Sequence, residues 1–143
     1  MIYFDASYVV RLYYSDRGFE EVRHLASTDS LACAQHGQAE VIAAFHRKYR
    51  EGSLTSRLYR LVLQQFADDI RADAFTWLPL SPAILEHVRV KFESLPIGNC
   101  LRASDALHLA IASQSGFRQL YSNDKNLLAA AAHFGLRGVN VIN

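Results

Sequence analysis

Apolar positions along this chain alternate between two rhythms: short continuous runs, and stretches in which they recur every three to four residues. Runs at residues 2–4, 31–34, 75–80 and 118–122 read as buried strands, with a candidate fifth at 139–142. Helical spacing fills the intervals. Asp5, Ala6 and Ser7 open a helix that carries Val9, Val10, Leu12 and Tyr13, and a second helix is predicted over 19–26. Over 35–51, Val41, Ile42, Ala44 and Phe45 fall on or near one face, and Leu58, Leu61, Val62 and Phe66 do the same over 55–72. Helices are also predicted over 83–95, 104–115 and 126–134. Gly52, Gly116 and Gly135 close three of these segments, and Pro82 stops the third strand.

Strands separated by helices predict an α/β fold with a central, mostly parallel sheet of four or five strands and helices on both faces. Right-handed crossovers restrict its topology. In open sheets of this kind ligands bind beyond the carboxyl ends of the strands, so residues just after each strand are the first candidates for chemistry. The chain shows no internal repeat, low-complexity segment or linker, and its 143 residues suit one domain, 1–143.

Four acids meet that criterion. Asp5 follows the first strand, Glu40 lies early in the helix after the second, Asp105 starts the helix before the fourth, and Asp124 follows the fourth. Each has a simpler reading: Asp5 and Asp124 as helix N-caps, Glu40 and Asp105 as partners of a helix dipole. Gathered at one edge, however, four carboxylates repel and raise one another's pKa, and a divalent cation relieves that repulsion. Carboxylate ligands suit Mg²⁺ or Mn²⁺, whereas zinc usually recruits His or Cys. Such a site can activate a water and stabilise charge on a phosphodiester, so the residues alone suggest metal-assisted phosphodiester hydrolysis.

Composition narrows the setting. Half of the residues are hydrophobic and 20% are charged, enough for a core without disulfides and too apolar for disorder. The net charge of +1 says little about partners. Cys33 and Cys100 form no CxxC pair and no disulfide framework. The amino end lacks a basic segment followed by a long apolar core, and no apolar stretch nears the ~20 residues of a membrane span, so a cytoplasmic protein without membrane association is expected. No GxxxxGK[ST] phosphate loop or GxSxG elbow occurs. His36 and Glu40 stand at i,i+4 spacing without the second histidine that a zinc protease helix needs.

The segments Ile-Tyr-Phe-Asp-Ala-Ser at 2–7, Gln-Ala-Glu-Val at 38–41, Arg-Ala-Ser-Asp-Ala-Leu-His-Leu-Ala at 102–110 and Tyr-Ser-Asn-Asp-Lys-Asn-Leu at 121–127 occur in the order of a known family. On these the chain resembles the PIN domain nucleases, and within them the VapC-like toxins of toxin–antitoxin pairs. The resemblance implies a three-layer α/β/α sandwich and RNA cleavage by a water activated on one or two Mg²⁺ or Mn²⁺ ions. It places the catalytic acids on Asp5, Glu40, Asp105 and Asp124, with Asp5 and Asp105 as direct metal ligands and Asp124 ligating directly or through water. Glu40 then orients the attacking water or accepts its proton. Ser7 matches a supporting polar position, and Ser122 stands where many relatives carry threonine. The resemblance also implies a homodimer, a small antitoxin partner and a structured RNA substrate such as a transfer RNA or a ribosomal RNA loop. A PIN nuclease of RNA processing, or a non-catalytic module binding RNA or protein, are the alternatives.

A basic, aromatic stretch holds His46, Arg47, Lys48, Tyr49, Arg50, Arg57, Tyr59 and Arg60. Arg47, Lys48 and Arg50 are candidate phosphate contacts, and a solvated helix pair is the alternative. Arg102, three residues before Asp105, is a candidate to grip a phosphate or to pair with an acid. His108, one turn past Asp105 in an apolar stretch, reads as a hydrogen-bonded core histidine outside the site.

Overall fold

The computed structural model describes residues 1–142. It begins with β1 (Ile2–Tyr3) and passes at Asp5 into α1 (Ala6–Tyr13), followed by α2 (Phe19–Ala26) and β2 (Leu31–Ala34). A helical pair, α3 (Gly37–Arg50) and α4 (Ser56–Arg71), leads to β3 (Thr76–Leu78) and α5 (Pro82–Glu93). The chain closes with α6 (Ala103–Gln114), β4 (Gln119–Tyr121), α7 (Lys125–Ala130) and β5 (Arg137–Val139).

Every ladder is parallel: β1 on β2, β2 on β3, and β4 on β5. A parallel bridge between Phe4 and Tyr121, and the Asp5 N–H donated to the Tyr121 carbonyl at 3.0 Å, join the two halves. The strands therefore lie in the order β3-β2-β1-β4-β5. The chain first builds outward from β1 and then returns to its other side, so the order reverses between β1 and β4. That reversal opens a crevice at the strands' carboxyl ends.

Alternation along the strands fills both faces of the sheet. Tyr3, Ala32 and Ala34 turn to one face, where they meet Ile84, Leu109, Leu120, Leu127 and Phe134. Phe4, Leu31 and Cys33 turn to the other, against Val9, Val22, Val41, Phe45 and Phe66. Helices α1 to α4 thus cover one face and α5 to α7 the other, the expected three-layer sandwich.

The expected elements recur with shifted ends. Pro82, read as a strand stop, sits in the first turn of α5, where a missing N–H costs nothing, and the Ser81 hydroxyl caps that turn. The helix expected over 126–134 ends as α7 at Ala130 and tightens into a 3₁₀ turn, Ala131–Phe134, closed by Gly135 at φ +73°. The fifth strand pairs at Arg137–Val139 rather than over 139–142. A Cβ on Gly138 would meet Leu128 Cδ2 at 2.8 Å, so the glycine, and not the apolar run after it, fits the place beneath α7. Val141 and Ile142 instead pack on the α1 side, and the Val141 N–H donates to the Tyr8 hydroxyl at 2.9 Å. Among the described residues no helix is long and apolar enough to cross a membrane.

Candidate active site

Each acid reaches the crevice because a local rule holds its backbone there. Asp5 leaves β1 extended and caps α1: its Oδ1 accepts from the Tyr8 N–H at 3.0 Å and from the Ser7 hydroxyl at 2.6 Å. Its Oδ2 accepts from the Ser122 hydroxyl. Ser122 in turn accepts from the Asp124 N–H at 2.9 Å, so one hydroxyl ties the ends of β1 and β4 together. Asp5 is only 5% exposed, and burial pushes its carboxyl up; the nearby His108 and the Ser122, Ser7 and Tyr8 donors offset part of that rise.

Asp124 caps α7, its Oδ1 accepting from the N–H groups of Asn126 and Leu127 at 2.8 and 3.0 Å. The capping readings of Asp5 and Asp124 are therefore correct, and they do not compete with a role in the cleft. The cap fixes one carboxylate oxygen of Asp124 and leaves the other to face Arg102. Asp105 is buried in the first turn of α6. The exposed Arg102 guanidinium spans both acids, Nε donating to Asp105 Oδ2 at 2.8 Å and Nη2 to Asp124 Oδ2 at 2.7 Å. Of the sequence alternatives for Arg102, pairing with the acids is the one this structure shows.

Glu40 enters from the first turn of α3. Its Oε2 accepts from His108 Nε2 at 2.6 Å, and the opposite ring nitrogen, Nδ1, meets the Tyr3 hydroxyl at 2.8 Å. Burial raises the Glu40 carboxyl, but the His108 hydrogen bond, the neighbouring rings of His108 and His36, and Ser104 together bring it below its usual value. His36 Nε2 sits 3.2 Å from the Ser104 carbonyl, tying the start of α3 to the start of α6. The core-histidine reading of His108 holds, since it is 1% exposed, but its expected place outside the site does not: the ring lines the cleft and bonds one of the four acids.

Asp5, Glu40, Asp105 and Asp124 all line one cleft of about 500 Å³. Ser7, Arg11, Ser104, His108 and Asn123 share its wall, and Arg47, Lys48 and Arg102 bring positive charge to it. Lys48 is already engaged: its ammonium lies 2.8 Å from Asp16 and 4.1 Å from the centre of the Tyr14 ring. Arg50 is exposed on α3 and does not line the cleft. Tyr49 and Tyr59 stack with ring planes 4° apart, pinning α3 to α4.

Oxygen donors facing a guanidinium that already sits between two of them suit a hard divalent cation. Among the described residues, the three whose ligand atoms lie within 4.8 Å of one another are His36, Glu40 and His108. The Glu40–His108 and His36–Ser104 contacts already engage those ring nitrogens.

The fold and cleft define a doubly wound α/β protein with an acidic crevice at its switch point. The PIN domain family is matched over residues 2–133, and the chain belongs to it. Among solved structures, the fold is similar to VapC20 of Mycobacterium tuberculosis, a sarcin-ricin-loop-cleaving toxin. That likeness has a TM-score of 0.66 at 16% identity, over 91% of this chain and 95% of the other. It is also similar to VapBC2 of Rickettsia felis bound to a DNA fragment from its promoter, with a TM-score of 0.64 at 17% identity over 98% of each chain. No curated protein matches the chain in sequence.

Proposed function

We propose that the chain is a Mg²⁺- or Mn²⁺-dependent endoribonuclease, the toxin of a VapBC-type pair. One observation carries the reading: four carboxylates from four separate segments line a single cleft at the sheet's switch point, beside Arg47, Lys48 and Arg102. Family membership supports nuclease chemistry, and the likeness to a sarcin-ricin-loop-cleaving toxin supports RNA as substrate; the proposed target is a ribosomal RNA loop or a transfer RNA.

Asp5, Asp105 and Asp124 would hold the metal, with Ser7 and Ser122 fixing the Asp5 carboxylate. When bound, the ion would lower the pKa of a coordinated water and offset charge on the phosphodiester. Glu40, held below the usual carboxyl range, stands ionised at neutral pH and can orient that water or take its proton. Arg102 is placed to pass from the two acids to a phosphate oxygen as RNA enters. Arg47 and Lys48 extend the phosphate path along α3, with Arg50 beyond the cleft rim. A homodimer, a small antitoxin partner and a cytoplasmic setting complete the proposal, together with one domain spanning 1–143.

The test is incubation of the purified chain with total RNA, with and without Mg²⁺, beside Asp5→Asn and Asp105→Asn. Metal-dependent cleavage by the native chain alone is expected; equal cleavage by all three sinks the proposed site. Growth arrest on induced expression, relieved by a co-expressed antitoxin, separates a toxin from an RNA-processing nuclease.

A further inference from the structure

Among the described residues, the buried polar or charged side chains are Asp5, Arg11, Asp105, His108 and Ser122. Asp5 and Asp105 line the acidic cleft, and Ser122 donates to Asp5 behind it. Arg11 is consumed by the backbone, donating to the carbonyls of Ser7 and Arg17 at 2.8 Å each. His108 is left, an imidazole in a helix otherwise buried through Ala106, Leu109, Ala110, Ile111 and Ala112.

An ionised carboxylate can only accept, so the 2.6 Å contact to Glu40 puts the proton on His108 Nε2. In the neutral ring Nδ1 is then the acceptor, and the Tyr3 hydroxyl is its donor at 2.8 Å. Tyr3 is fully buried, and its phenol is the hydroxyl donor that faces the acceptor nitrogen of the ring. The ring is also held from the side. His36 lies 4.5 Å away, centre to centre, anchored on the Ser104 carbonyl. A Cβ on Gly37 would stand 3.3 Å from His108 Cε1 and 2.7 Å from Cys33 Sγ, so the first residue of α3 leaves just the room the ring occupies.

We propose that Tyr3 and His108 are positioning residues that fix the tautomer facing Glu40 and hold its carboxylate in the cleft. The inference rests on Glu40 acting in the reaction proposed above. Tyr3 lies on β1 and His108 on α6, so the bonded chain runs from the sheet, through one helix, to a carboxylate on another. Without the Tyr3 donor the ring is free to carry its proton on Nδ1, and Glu40 then loses its donor and its aim.

The experiment combines nitrogen-15 imidazole spectra of the folded full chain with cleavage of total RNA at varied RNA concentration. Native protein should show a hydrogen-bonded proton on His108 Nε2 that shifts in Tyr3→Phe and is lost from the bonded position in Glu40→Ala. The maximal cleavage rate should fall about 10-fold in Tyr3→Phe and about 10²-fold in His108→Ala, the low end of general-base contributions, with half-saturating RNA nearly unchanged. His108→Gln, which returns an N–H toward Glu40, should recover most of the loss. Folded Tyr3→Phe and His108→Ala chains that cleave at the native rate, or a His108 proton on Nδ1, would overturn the proposal. A native chain with the bonded proton but no cleavage of RNA refutes the nuclease reading and not the relay.

Discussion

Replacing Arg102 by alanine should tighten metal binding while weakening the hold on RNA. The guanidinium lies between Asp105 and Asp124, at 2.8 and 2.7 Å, where a divalent ion would compete for the same oxygens. The Arg102 side chain is 69% exposed, so its two ion pairs have surface strength, about 0.5 kcal/mol each. A metal that claims both acids must displace about 1 kcal/mol of pairing, and removing the competitor should lower the Mn²⁺ dissociation constant about fivefold. Repulsion between the two uncovered carboxylates acts in the same direction, because only a cation relieves it. Calorimetric titration of Mn²⁺ into native and Arg102→Ala protein without RNA measures the shift. RNA cleavage should show the opposite sign, with half-saturating RNA rising as a phosphate contact is lost. Unchanged or weaker Mn²⁺ binding in the variant would refute the reasoning, since Arg102 would then not share the metal's place.

Asp5→Asn should abolish cleavage yet stabilise the fold at neutral pH, because it removes a buried carboxylate whose native pKa lies above its ordinary value of 3.8. A raised native pKa means native stability falls as pH rises from 3.8 to the native value, so the gain in melting temperature should vanish on acidification below 3.8. Gly37→Ala should destabilise by about 1–3 kcal/mol in chemical denaturation, since its Cβ would press on Cys33 Sγ and on the His108 ring. For Glu40 the sign reverses: its lowered native pKa contributes stability above the ordinary value of 4.5, lost as pH falls through the native value. Glu40→Gln should therefore flatten the acid limb of the stability curve.

The sheet's switch point was legible because strand rhythm and the following acid sit side by side in sequence. Residues 2–4 lead straight into Asp5, and 118–122 into Asp124, so finding the strands also found the acids. Glu40 and Asp105 followed from helix starts, where an acid suits the dipole. The link between Glu40 and His108 was hidden because the two are 68 positions apart and meet only when α3 and α6 converge on the sheet edge. A buried imidazole within an apolar helix was the one available sign. The double grip of Arg102 is half local, at i+3 to Asp105, and half distant, 22 positions away at Asp124. Arg50 looked equivalent to Arg47 and Lys48 in composition, but its place on α3 takes it off the cleft wall. The fifth strand was displaced because β-branched residues after Gly138 outweighed, in the pattern, a glycine chosen for close packing.

The central claim is that the acidic cleft cuts RNA. Mapping of RNA ends after brief induction of the native chain, beside Asp5→Asn and Asp105→Asn, tests it most directly. The account predicts discrete new ends with the native chain and none with either variant. The same ends from all three proteins, or no new ends from any, would contradict it.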